Sequence, residues 1–379
     1  MTLKKLYNLL HLWLGLATGL IFFIACLTGA ALVFEVEAEE FFNSSFYKNT
    51  GSVLTSNRYS LDELYDVAKD AAGPYGLENI TINRDSNNHS YVFETSEIED
   101  KKLLISINPF TKEITGIRRE DLRFFSIMED LHRKLLMDKP GKFVTGACCL
   151  SYLVILITGV ILWWPKNVKI LKQRIKVKWD AKYKRLNWDL HSVFGFYALP
   201  FLFIMAFTGL TWSYDWFENG IYLVLDGKTP DEPLYKTSKP EQKNKIAGFL
   251  KNILIQADNL LPYKGIIEIS LPGKKNLIRL EKRIPSWFYG SKDELVFDAT
   301  TGTLIAAERW KNQSTGVNAR GLMKPIHTGS IFGIINKILV FLACLIGVTL
   351  PVTGFIIWLG RKKKKVKQKP LPKKRSLIS

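Results

Sequence analysis

Two stretches decide the fold: residues 11–29, HLWLGLATGLIFFIACLTG, and residues 191–209, HSVFGFYALPFLFIMAFTG. Each opens on a histidine, has a glycine four residues on (Gly15, Gly195), and closes on Thr-Gly seventeen residues on (Thr28-Gly29, Thr208-Gly209). Beyond its histidine neither holds an acid or a base, and each offers roughly the 20 apolar residues that a helix needs to cross a hydrocarbon core. They read as two copies of one membrane-spanning unit.

Working outward, a second pair appears. His132 is followed 26 residues later by Thr158-Gly159 and then Val-Ile-Leu-Trp-Trp; His327 is followed 26 residues later by Thr353-Gly354 and then Phe-Ile-Ile-Trp. The apolar residues collect in four runs, at 9–34, 143–164, 194–212 and 338–359. The chain is therefore a duplicated helix, outer segment, helix. That excludes a soluble single domain, a disordered chain and a fibrous protein. Lys4 and Lys5 before an apolar run also fit a cleavable leader, whose apolar core is usually about 7–15 residues. The run at 9–34 is 26 residues long and has an internal copy, so a retained helix is expected.

Charge sets the expected orientation. The 379 residues include 53 Lys+Arg and 35 Asp+Glu, a formal net charge of +18, which in a soluble protein would suggest a nucleic-acid partner. The N-terminus, the loop at 165–190 and the tail after Gly360 hold 21 of these bases against two acids, Asp180 and Asp189. Basic loops stay in the cytoplasm. Both termini and the middle loop are expected there, with attraction to anionic membrane lipid as a by-product and no nucleic acid implied. The expected order is a first span over 1–34, an outer domain over 35–125 and a second span over 126–164. A basic cytoplasmic loop over 165–190 follows, then a third span over 191–213. A second outer domain over 214–322, a fourth span over 323–360 and a basic tail over 361–379 complete it.

Five histidines are present. His89, among Asn87, Asn88 and Ser90, reads as a solvated loop position. His11, His132, His191 and His327 stand one at or before the start of each span. With the expected topology, His11 and His191 lie in the inner leaflet, and His132 and His327 lie toward the outer surface. Two facing imidazoles between helices are what a six-coordinate b-type haem requires, and ionisable groups at membrane depth are by default functional. The four histidines are thus candidate axial ligands of two non-covalent bis-histidine haems, since no CxxCH is present. Gly15, Gly19 and Gly195 would leave room for a flat ring. A lone interfacial histidine usually only ties helices together; the duplicated register and pairing by face favour haem. A proton relay or bare-metal site is the competing reading, but metal transport would be expected to add carboxylates or thiolates. The outer pair could sit at the interface, because His132 precedes the breaker Asp138-Lys139-Pro140-Gly141. Cys26, Cys148, Cys149 and Cys344 fall within spans as small packing residues.

The outer segments read as two small α+β domains. In the first, residues 61–72 have helical spacing, with Ser60 as N-cap and Glu63 at the capping-box position. Strands are expected at 79–83, 90–95 and 102–108, then a turn over 108–116. The second has a helix over 244–261, strands at 265–271, 277–281 and 294–297, a closing turn over 298–305 and a polar linker at 228–243. No nucleophile–base set, GxGxxG or GxxxxGK[ST] occurs, so the chain shows no nicotinamide, flavin or nucleotide site of its own.

The motifs His-Leu-Trp-Leu-Gly (11–15), Leu-His-Arg-Lys-Leu-Leu (131–136), Thr-Gly-Val-Ile-Leu-Trp-Trp-Pro-Lys (158–166) and His-Ser-Val-Phe-Gly (191–195) resemble the PepSY-associated transmembrane proteins. The resemblance extends through His-Thr-Gly (327–329) to Thr-Gly-Phe-Ile-Ile-Trp-Leu-Gly-Arg (353–361). Such families include inner-membrane ferric-siderophore reductases. The resemblance implies a membrane all-α four-helix bundle with two PepSY-like periplasmic domains, and His11, His191, His132 and His327 as haem ligands. Its basic tail departs from any haem or flavin pattern. Together these readings predict a dihaem b-type electron-transfer protein of a bacterial inner membrane. A quinol or cytoplasmic flavoprotein would supply electrons at the His11/His191 haem, and a periplasmic ferric chelate would accept them beyond the His132/His327 haem. Trp212 and Trp216 stand near that outer face, where interfacial anchoring is the plainer reading. The alternative is a non-enzymatic, membrane-anchored PepSY binding or regulatory protein.

Overall fold

Unbroken apolar runs of helical length form helices in the computed structural model, which describes residues 2–367 apart from 50–56, 87, 100, 166, 231–247, 274–275 and 286–289. Among the described residues, four helices are long and apolar enough to cross a membrane: Leu3–Leu32, Asp138–Trp163, Tyr183–Ser213 and Ile334–Arg361. The chain divides into two compact units. One contains Met1–Ala30, Leu131–Ser213 and Ile338–Ser379; the other contains Ala31–Asp130 and Tyr214–Lys337.

In the first unit, Cys26, Tyr152, Leu156, Ala198, Leu202, Ala206 and Ala343 bring side chains from all four spans into one apolar cluster. Four of these seven are alanine or cysteine, which lets helices approach closely in a membrane. The third span is not a uniform α-helix: Leu190–Phe194, which contains His191, forms a π turn. Such turns recur at functional sites because they displace a side chain from the regular helical ladder.

The second and fourth spans, expected over 126–164 and 323–360, are each interrupted. The helix bearing His132, Phe124–Lys134, ends before the span that starts at Asp138. The break puts three non-glycine residues at positive φ: Leu135 (53°), Leu136 (57°) and Asp138 (50°). Positions like these cost of order 1–3 kcal/mol each and persist only where their surroundings hold them. Here Thr145 Oγ1 donates to Arg133 O at 2.7 Å. A Cβ on Gly141 would lie 1.5 Å from Lys134 O, so only glycine permits the return. In the other half, Thr315–Thr328 carries His327, and the last helix begins at Ile334. That turn uses Gly329 (φ 76°) and Gly333 (φ 74°) instead.

The second unit is one antiparallel sheet. Its strands are β1 (Leu77–Asn83), β2 (Tyr91–Thr95), β3 (Leu103–Ile107), β4 (Ile114–Arg119), β5 (Ile266–Ser270), β6 (Leu277–Arg283), β7 (Lys292–Asp298) and β8 (Leu304–Glu308). Their order is β4-β3-β2-β1-β5-β6-β7-β8. The two expected α+β domains thus meet edge to edge, with β1 pairing β5 in the register Ile80↔Ile269. Alternation buries Ile80 and Ile82 of β1 beside Ile267 and Ile269 of β5 in one core with the helices Leu61–Ala72 and Leu250–Leu260. That pairing covers two sheet edges that separate domains would expose. Asp62 links the helices: its Oδ1 accepts from Gly248 N (2.8 Å) and Leu250 N (3.0 Å), and its Oδ2 from Lys251 N (2.9 Å). Residues 244–247 of the expected second helix, most of the 228–243 linker and residues 368–379 of the tail lie outside the described residues.

The expected capping box forms. Ser60 Oγ accepts from Glu63 N (3.4 Å), and Glu63 Oε2 accepts from Ser60 N (3.0 Å) and Ser60 Oγ (2.8 Å). The Lys112 ammonium, 2.7 Å from the other Glu63 oxygen, and the Ser60 donors hold this carboxyl at about 2, below its ordinary 4.5. Because folding depresses it, the contribution is full above pH 4.5 and disappears as pH falls toward 2. E63Q should lower the thermal midpoint at neutral pH and match wild type near pH 2; a pH-independent deficit would contradict this.

Candidate functional site

Three of the four candidate histidines lie in the spanning unit, and each rests on a Thr-Gly step. His11 Nδ1 donates to Ile155 O at 3.0 Å and lies 3.3 Å from Thr158 Oγ1. His132 Nδ1 donates to Ala25 O at 3.0 Å and Thr28 Oγ1 at 3.0 Å. His191 Nδ1 donates to Thr353 Oγ1 at 2.9 Å. Each threonine hydroxyl gives its own proton to its helix: Thr158 to Val154 O, Thr28 to Ile24 O and Thr353 to Thr349 O, all at 2.8 Å. Its oxygen can then only accept from the imidazole, and a carbonyl accepts in any case. His11 and His191 are therefore Nδ1–H tautomers, which leaves the Nε2 lone pair of each for a metal, and His132 donates through Nδ1 in the same way.

The glycine of each step makes room for the ring. A Cβ at Gly159 would lie 3.2 Å from His11 Cε1, one at Gly354 would lie 3.2 Å from His191 Cε1, and one at Gly29 would lie 3.4 Å from His132 Cε1. Sequence reasoning used Thr-Gly only as a mark of the repeat and missed this role. The common offsets from the histidines were the available signal. Asn187 was also missed: its Nδ2 donates to Thr353 O at 3.1 Å, fastening the turn before His191 to the helix that seats it.

His11 and His191 face each other with ring centres 6.4 Å apart and planes at 88°. Two imidazoles sharing one metal, each at about 2.0–2.1 Å as for zinc and with about 1.1 Å from nitrogen to ring centre, would have centres roughly 6.3 Å apart. Both rings line a cavity of 460 Å³ in the spanning unit, within the roughly 300–1,000 Å³ typical of cofactor sites. Its walls are apolar and flat: Trp163 stacks on Phe196 at 3.7 Å and 8°, and Phe22 on Tyr152 at 3.7 Å and 20°. Gly15, Gly19 and Gly195 all border it, and a Cβ at Gly15 would meet nothing within 4 Å. Among the described residues, no group of three or more His, Cys, Asp or Glu side chains could hold a bare ion. Two imidazoles with ring centres 6.4 Å apart beside a largely apolar cavity fit a metal whose other ligands come from a macrocycle.

His327 lies half-buried at the end of Thr315–Thr328, in the sheet-containing unit. His89 corrects an expectation: it is not a solvated loop residue. Its side chain is 12% exposed, it bridges to Lys48, and its Nε2 lies 3.7 Å from Glu40 Oε1.

With this geometry in view, a family model described as the PepSY-associated TM region matches residues 9–361. No curated protein matches the chain.

Proposed function

We propose that this chain, which belongs to the PepSY-associated TM family, is a dihaem b-type electron-transfer protein that reduces a ferric chelate outside a bacterial inner membrane. The observation that carries the reading is the His11–His191 pair, whose ring centres are 6.4 Å apart at the wall of an apolar cavity. His11 and His191 would hold one haem, and His132 and His327 the other, the second pair resting on the duplicated register. Haem bound between two imidazoles supplies a reversible one-electron iron couple with no open coordination position. The residues around it fix tautomer and ring orientation: hydrogen bonds from Nδ1 to Ile155, Thr353, Ala25 and Thr28 also strengthen Nε2 as a donor. The apolar residues of the wall would shield the faces of the ring from water. The basic excess at the N-terminus, middle loop and tail supports placing the His11/His191 site on the cytoplasmic side.

The acceptor is a ferric siderophore or a similar ferric chelate. Each Fe³⁺ takes one electron, and the resulting Fe²⁺, softer and less charged, binds hard oxygen donors more weakly. A quinol or cytoplasmic flavoprotein supplies the electrons. Dithionite-reduced protein, freed of excess reductant, should be reoxidised by ferric hydroxamate, catecholate or citrate, with ferrous iron appearing in a trap. If no ferric chelate reoxidises it, the proposed substrate class is wrong.

A further inference from the structure

The cavity that holds His11 and His191 differs at its two ends. Seven residues, or about 10 Å of helix, beyond Gly354, its lining includes Arg361; Arg174 and Asn8 also border this end. Both arginines are exposed residues. The Arg361 guanidinium carbon lies 5.7 Å from the Trp188 ring centre, and Arg174 donates to Trp163 O. In the opposite direction along the spans the lining is Phe22, Tyr152 and Leu350. Among the described lining residues, none is acidic. The cavity therefore has two guanidiniums at one end and no charged group at the other.

We propose that Arg174 and Arg361 form a dicarboxylate seat that holds both propionates of the haem at the end of the cavity bordered by Asn8. This rests on the haem reading above and deepens it by fixing how the ring enters. A b-type haem carries its two carboxylates on one edge and only apolar substituents on the opposite edge. A carboxylate turned toward Phe22 and Tyr152 would be buried with no cation to pair with and only the Tyr152 hydroxyl to donate to it. Turned the other way, each carboxylate meets a planar donor fork suited to bidentate pairing. Arg361 is set by its ring contact with Trp188, and Arg174 by its bond to the Trp163 carbonyl. Those contacts limit the rotamers lost on pairing.

The test compares haem with haem dimethyl ester, which has the same iron and ring but no carboxylates. Haem-depleted full-length protein with His132→Ala, so that only the His11/His191 site counts, is titrated with each and followed by absorbance. Each arginine would give the propionates a charge-assisted hydrogen bond, so R174Q/R361Q should weaken haem binding at least about tenfold. The same pair of substitutions should leave the ester unchanged, and the ester should bind unsubstituted arginines as weakly as haem binds the glutamine variant. Unchanged ester binding also reports an intact cavity. If the glutamine variant binds haem as the parent does, or loses both ligands equally, the seat is wrong and the haem reading stands. If the parent binds neither ligand, both proposals fall.

Discussion

Replacing His191 with alanine is expected to remove one of two haems, and replacing His11 is expected to remove the same one. Each variant should fall to roughly half the haem per chain. The double variant His11→Ala/His191→Ala should lose no more, because the two side chains act as a unit and their effects cannot add. His11→Ala combined with His132→Ala should lose both haems. The alanines need not unfold the protein. Thr353 already gives its proton to Thr349 O, and Thr158 gives its proton to Val154 O, so removing either ring leaves no buried donor unpaired. Haem content from a pyridine haemochromogen assay, with far-UV circular dichroism as the fold control, reads the result. If His11→Ala/His191→Ala lost twice as much as either single variant, the pairing by face would be wrong.

The second large effect is expected where no ligand is touched. Gly354→Val keeps all four histidines, yet its Cβ would lie 3.2 Å from His191 Cε1 and its two methyls would extend further into the ring's place. The imidazole must then tilt off Thr353, losing the hydrogen bond that fixes its tautomer. Haem content should fall nearly as far as in His191→Ala. Gly354→Ala, which asks the ring to give only a few tenths of an ångström, should fall between Gly354→Val and wild type. Gly159→Val should behave in the same way through His11. Full haem content in Gly354→Val would show that Thr-Gly is a helix-packing motif and not an imidazole seat.

Local chemistry was the legible part of this fold. The helix Leu61–Ala72 starts where Ser60 and Glu63 predict, because capping is decided within a few residues. The four spans follow from apolar length alone. The continuous sheet was not legible: joining β1 to β5 brings Ile80 to Ile269, and an alternating strand does not say which edge it will pair with. The breaker Asp138-Lys139-Pro140-Gly141 marked an interruption after His132 but not its form, since the Leu135–Leu136 turn uses positive φ in residues that rarely adopt it. At the site, the histidines stood out by scarcity and register. Their supports stood out only as marks of the repeat, because nothing in Thr28, Thr158 and Thr353 shows a supporting role until the neighbouring helix brings an imidazole to them. Tautomer and spacing come from contacts between helices, and a repeat reports only that such contacts occur twice.

The most direct measurement is the reduced-minus-oxidised absorption spectrum of the full chain purified from haem-replete cells, taken with a haem count per chain. A b-type α-band from low-spin, bis-histidine iron, at two haems per chain, is the expected result. Protein that is folded and haem-replete in its source yet shows no α-band would contradict a role in carrying electrons through His11, His191, His132 and His327.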